Sequence, residues 1–110
     1  MIPPEVPSVL AAEVPDGAVI LDVREPDEWE AGHIAGALHI PLADLPARFG
    51  ELPDGGDVVV VCRSGGRSAR AVGWLTTNGY DAINLSGGMG AWQTAGRSMV
   101  SETGEAPTVR

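Results

Sequence analysis

The residues best equipped for chemistry in this chain stand together, at Cys62-Arg63-Ser64-Gly65-Gly66-Arg67-Ser68. Cys62 is the only cysteine among 110 residues. A cysteine attacks as its thiolate, and a free thiol with a pKa near 8.5 is only a few per cent ionised at neutral pH. Two units of depression, about 2.7 kcal/mol, would make thiolate the majority form. A Gly-rich loop that opens a helix supplies the means. It presents unsatisfied backbone N–H groups, a partial positive charge, and successive N–H groups turned inward as an anion-binding nest. Arg63 and Arg67 would add positive charge. The stretch predicts a reactive thiolate at Cys62, with Arg63, Ser64, Gly65, Gly66, Arg67 and Ser68 as its anion-binding surround. One cysteine excludes an intramolecular disulfide, a CxxC pair and a multi-cysteine zinc site. Any redox partner of Cys62 comes from outside.

The elements that position this loop follow from its flanks. Asp57 to Val61, with four valines in a row, reads as a buried strand that delivers the thiol to the turn. From Gly66 to Asn78 the pattern is helical, with Ala71, Val72 and Leu75 on one face and Asn78-Gly79 as the stop, followed by Tyr80 as a hydrophobic contact. Upstream, Ala18 to Val23 lacks alternation, as expected of a parallel strand covered on both faces. Asp22 ends it, at the strand end where α/β sheets put functional groups. Pro26 and the acids around it suit a first helical turn, which Gly32 ends. His33 to Pro41 reads as loop and short strand. Leu42 to Leu52 is weakly helical, interrupted by Pro46. Pro53-Asp54-Gly55-Gly56 is a turn, Ala82 to Leu85 a short strand, and Met89 to Thr94 a last short helix. Near the start, Pro3-Pro4 and Pro7 make an extended lead-in, and Ser8 is expected to cap a short helix through Val9 to Glu13. Strands alternating with helices give an α/β fold with a mostly parallel sheet.

Length suits one domain, residues 1–100, with 101–110 expected to be a frayed, flexible tail. The net charge of −8, from 15 acids against 7 bases, argues against nucleic-acid or anionic-membrane partners. All seven bases are arginine, and Arg63, Arg67 and Arg70 fall within eight residues. No transmembrane run or leader peptide is evident, so a cytoplasmic location is expected. The histidines and acids show no metal-ligand spacing, and neither metal nor cofactor is expected.

A thiolate in an anion-binding loop describes a phosphatase as well as a sulfur-transfer enzyme. Three stretches narrow it. Leu21-Asp22-Val23-Arg24-Glu25-Pro26-Asp27-Glu28-Trp29-Glu30-Ala31-Gly32-His33-Ile34-Ala35-Gly36-Ala37 through Ile40-Pro41, then Cys62 to Ser68, then Leu85-Ser86-Gly87-Gly88-Met89-Gly90-Ala91-Trp92 together resemble the signatures of single-domain rhodaneses. The resemblance implies a five-stranded, mostly parallel sheet with helices on both faces. It implies a sulfurtransferase that carries sulfane sulfur as a persulfide on Cys62. The donor would be thiosulfate or a similar small anion. The acceptor would be cyanide, a thiol or an acceptor protein. Four residues separate Cys62 from Arg67. Related phosphatases have one more, so a shorter ring sized for sulfur disfavours phosphate chemistry. A persulfide carrier in a protein-to-protein relay is the closest alternative, and a non-catalytic interaction module a more distant one.

The supporting residues read as follows. Asp22 braces the loop as readily as it does chemistry. Arg24 and Glu28, four apart, are expected to pair across the helix start. His33 is expected to be a hydrogen-bonded structural residue, because a thiolate needs no general base. Trp29, Trp74 and Trp92 are expected at or near the core; whether Trp74 borders the site, and whether Arg70 extends the positive entrance or is simply solvated, stays open.

Overall fold

The computed structural model describes residues 6–53 and 56–110. The expected Pro3-Pro4 lead-in and the Asp54-Gly55 part of the expected turn lie outside these. Five strands form one sheet: β1 (Ser8–Val9), β2 (Val19–Asp22), β3 (Leu38–His39), β4 (Asp57–Val61) and β5 (Asp81–Leu85). Their order is β1-β5-β4-β2-β3, and every pair is parallel. Four α-helices complete the fold: α1 (Pro26–Ala31), α2 (Leu45–Arg48), α3 (Gly66–Thr77) and α4 (Gly88–Thr94). The chain leaves β2 toward β3 on one side and leaves β4 toward β5 on the other. The carboxyl ends of β2 and β4 therefore flank a topological switch point, where open α/β sheets place their sites.

The four valines of β4 are all buried because the strand is covered on both faces. Side chains alternate across a strand. Val58, Val60 and Cys62 pack with Leu21, Val23, Ala71, Val72 and Leu75 on the α3 face. Val59 and Val61 pack with Ile20, Leu85, Met89 and Trp92 on the α4 face. The same parity that buries the valines aims Cys62 beneath α3. The C-terminus of α3 is closed as expected: Gly79 (φ +91°) donates to Thr76 O, and Tyr80 donates to Leu75 O.

One expectation is corrected here: Ser8 does not cap a helix but lies in β1, paired with β5, and only Ala11–Glu13 forms a single 3-10 turn. The stretch 42–51 is weakly helical as expected, two 3-10 turns around a short α2 that starts beside Pro46. Residues 101–110 carry no regular structure, and two of their N–H groups meet the body. The Glu102 and Thr108 N–H groups donate to Glu30 O and Ala31 O, carbonyls at the end of α1 that have no partner within a helix so short. Gly32 permits this, because a Cβ there would collide with the Thr108 carbonyl oxygen.

Arg24 and Asp22 are wholly buried. The expected Arg24–Glu28 pair does not form. Arg24 precedes α1, so the helical i, i+4 spacing does not apply, and its side chain folds back onto Asp22 (Nη2–Oδ2 2.7 Å) and onto Gly32 O (2.7 Å). Removing one member of a buried pair strands the other charge, at a cost of about 3–5 kcal/mol. Arg24→Ala is expected to lower the denaturant midpoint correspondingly; a midpoint within experimental scatter of the parent protein would contradict this role.

Candidate active site

Cys62 follows β4 directly, and its side chain is almost wholly buried. The backbone turns through Gly65 at φ +112°, a conformation that favours glycine, and α3 begins at Gly66. The turn brings donors to sulfur: the Gly65 N–H lies 3.1 Å from Sγ, and the Ser68 hydroxyl, from the first turn of α3, 3.4 Å away. Burial by itself would push the Cys62 thiol up. The Ser68 hydroxyl and the backbone N–H groups of Ser68, Gly65 and Ser64 outweigh it and hold the pKa below that of an ordinary thiol. The expected depression is present in direction: oriented N–H and O–H groups are its main source, and Arg67 is coupled to the thiol through its charge.

The two arginines of the loop are already engaged. Arg67 forms a two-pronged pair with Glu28 (2.8 and 2.9 Å), joining α3 to α1. That pair holds the Glu28 carboxyl down at about 2 and pushes the Arg67 guanidinium up. Arg63 is exposed and donates through Nε to Arg110 O at 2.9 Å. Ser64 and Gly66 are exposed at the loop surface. Arg70 and Trp74 line, with Arg67, Leu42 and Pro46, a cavity of about 610 Å³ beside the loop.

The outer face of the loop rests on α4. Met89 N–H donates to Cys62 O (2.8 Å) and Gly90 N–H to Arg63 O (3.1 Å). Gly88, at φ +60°, sits so close that a Cβ would collide with the Cys62 carbonyl oxygen. This is the physical content of the third sequence signature: its glycines let one helix end grip the neighbouring loop.

His33 is buried and its Nδ1 donates to Trp29 O at 2.7 Å, while its ring stacks on Trp29 at 3.5 Å. His39 likewise donates to Arg24 O (2.7 Å). Trp92 is buried and Trp29 and Trp74 are half-buried. Asn84, on β5, is a site neighbour that its residue type alone does not reveal. It is buried, with Oδ1 2.5 Å from Ser68 Oγ and Nδ2 3.3 Å from Gly65 O. Its only signal in the sequence is a polar side chain within an apolar strand.

The model of the Rhodanese-like domain family matches residues 6–95. This chain belongs to the rhodanese-like family. A sulfurtransferase of Allochromatium vinosum is 39% identical over 90 residues, covering 81% of this chain and 84% of that protein. The thiosulfate sulfurtransferase GlpE of Pseudomonas fluorescens is 33% identical over 94 residues, covering 84% of each. Among solved structures, a rhodanese-related protein from Thermoplasma volcanium superposes with a TM-score of 0.81 at 33% identity, over 86% of this chain and 98% of that one. The family and these relatives support sulfur transfer as the general activity. As in those folds, the sheet here is α/β, and no helix among the described residues is long and apolar enough to cross a membrane.

Two outcomes follow from the site's supports. The lowered Glu28 pKa contributes stability that is present above about pH 4.5 and is lost as pH falls toward about 2. Glu28→Gln is expected to flatten that limb of the stability–pH curve, read by denaturation at each pH; an unchanged limb would contradict the pair's role. Gly88→Ala forces both a backbone collision and positive-φ strain, and is expected to cost more than about 2 kcal/mol and to slow Cys62 alkylation. Parent-like unfolding and alkylation would show that the loop does not need this close approach.

Proposed function

We propose that this protein moves sulfane sulfur from thiosulfate or a similar small anionic donor to a thiophilic acceptor, through a persulfide on Cys62. The observation that carries the reading is the Sγ atom, buried at the end of the central strand and held by hydrogen-bond donors that favour its anion. In the first half-reaction the Cys62 thiolate attacks the outer sulfur of the donor. A bond forms between Sγ and that sulfur, the donor's S–S bond breaks, and sulfite leaves with the electron pair. In the second, cyanide or a thiolate attacks the outer sulfur of the persulfide. The Cys62 S–S bond breaks and its electron pair returns to Sγ as thiolate.

Each other residue then has a task. The Ser64, Gly65 and Ser68 N–H groups, which point toward Sγ, stabilise the charge as it leaves and returns. Arg63 is the exposed cation of the loop and meets the donor's oxygens once it leaves Arg110 O. Arg67, tied to Glu28, fixes α3 against α1 and adds a background positive field more than a ligand contact. Asp22 and Arg24 brace the neighbouring strand end, and His33 has no part in the chemistry. With one cysteine in the chain, the persulfide has no internal thiol to attack it, so the sulfur leaves to an external acceptor.

Incubation with thiosulfate followed by mass spectrometry tests this. The protein is expected to gain one sulfur, located on Cys62, which cyanide removes. Cys62→Ser is expected to gain none. Absence of the adduct with thiosulfate and with other sulfane donors, or an adduct retained in Cys62→Ser, would overturn the proposal.

A further inference from the structure

The Ser68 hydroxyl has one proton and three acceptors within reach. Asn84 Oδ1 is nearest at 2.5 Å, Gly65 O lies at 3.3 Å and Cys62 Sγ at 3.4 Å. All of these side chains are buried, Ser68 wholly so, and water does not take the proton instead. The orientation of the Asn84 amide is fixed from its other end. Its Nδ2 faces the Gly65 carbonyl at 3.3 Å, and a reversed amide would set oxygen against oxygen there. Oδ1 therefore faces Ser68, where it accepts.

The nearby charges are mostly spent on each other, Arg67 on Glu28 and Arg24 on Asp22. The charge state of sulfur then depends closely on where neutral donors point. While Sγ is uncharged it is a weak acceptor, and the shortest contact assigns the Ser68 proton to Asn84. When Sγ is a thiolate it is the stronger acceptor, and a rotation about the Ser68 Cβ–Oγ bond brings the same proton to it.

We propose that Asn84 is a positioning residue that holds the Ser68 hydroxyl proton away from sulfur while Sγ is uncharged and releases it to Sγ when Sγ becomes a thiolate. On the sulfurtransferase reading above, Sγ alternates between these two states. It is anionic before donor attack, and it is the neutral inner sulfur of a disulfide-like bond once the persulfide has formed. The proton changes direction and never leaves oxygen, so no acid or base is consumed. Asn84 keeps the thiolate less stabilised than full-time donation from Ser68 would, and so keeps it more nucleophilic.

The test is the rate of Cys62 alkylation by iodoacetamide across pH, which needs no sulfur donor. Asn84→Leu removes the competing acceptor. Its titration midpoint is expected to fall by about one unit, as for a hydrogen bond to a charged group, and its high-pH plateau rate to fall about threefold as the anion becomes less basic. Asn84→Asp, an acceptor that does not let the proton go, is expected to raise the midpoint by about one unit or more. In a Ser68→Ala background the Asn84→Leu shift is expected to vanish. If Asn84→Leu does not fold by circular dichroism, Asn84→Ala takes its place with the same expected sign. Midpoints that move together in both Asn84 variants, that do not move, or that move equally without the Ser68 hydroxyl would overturn the proposal. Thiosulfate labelling of the parent protein, run in parallel, separates the two claims. Failed labelling with the midpoint pattern intact would count against sulfur transfer, and the reverse against Asn84.

Discussion

A sulfur anion taken out of water must be given other hydrogen-bond donors, or it picks up a proton and ceases to be a nucleophile. At Cys62 the backbone supplies most of them. A Gly65 conformation with φ +112° turns successive N–H groups toward Sγ, and Ser68 adds a hydroxyl from the first turn of α3. Backbone donors cannot rotate away and do not titrate. On the proposed persulfide cycle, in which the sulfur gains and loses charge, they serve better than a mobile cation would, because they need no reorganisation at each step.

Much of the surrounding structure is the consequence of keeping that turn in place. The alternation of β4 sends Cys62 to the α3 face along with Val58 and Val60. The N–H groups at the start of α4 grip the carbonyls of Cys62 and Arg63 from outside. Asn84 on β5 reaches both Gly65 and Ser68 from below. The Glu28–Arg67 pair closes the front by joining α1 to α3, and the buried Asp22–Arg24 pair fixes the end of β2 alongside. Four elements that are distant in sequence converge on seven residues of loop, so changes well away from sulfur reach its chemistry through the loop's shape.

Local order and tertiary order differed in how legible they were. The continuous apolar runs of β2 and β4, Pro26 at the start of α1 and the Asn78-Gly79 stop of α3 all state their structure within a few residues, and they read correctly. The cysteine loop lies where the flanking patterns put it, between β4 and α3, and the thiol shifts in the expected direction. What was not legible depends on partners far along the chain. β1 is two residues long, and only its pairing with β5 makes it a strand. The spacing of Arg24 and Glu28 suggests a helical pair, but Arg24 precedes α1 and the helical spacing does not apply there. Glu28 turned instead to Arg67, 39 residues away. Residues 101–110 look like a polar tail by composition, yet their N–H groups meet the free carbonyls of a helix too short to satisfy its own. Asn84 sits in a strand whose pattern says only that it is buried; what it touches depends on the loop of a neighbouring strand.

The account rests on Cys62 being a thiolate stabilised by the loop. The thiolate's ultraviolet absorbance, followed through a pH titration of the parent protein with Cys62→Ser as the blank, reads this directly. The account predicts a midpoint below that of an ordinary free thiol. A midpoint at or above that value would mean that burial outweighs the hydrogen bonds and would contradict it.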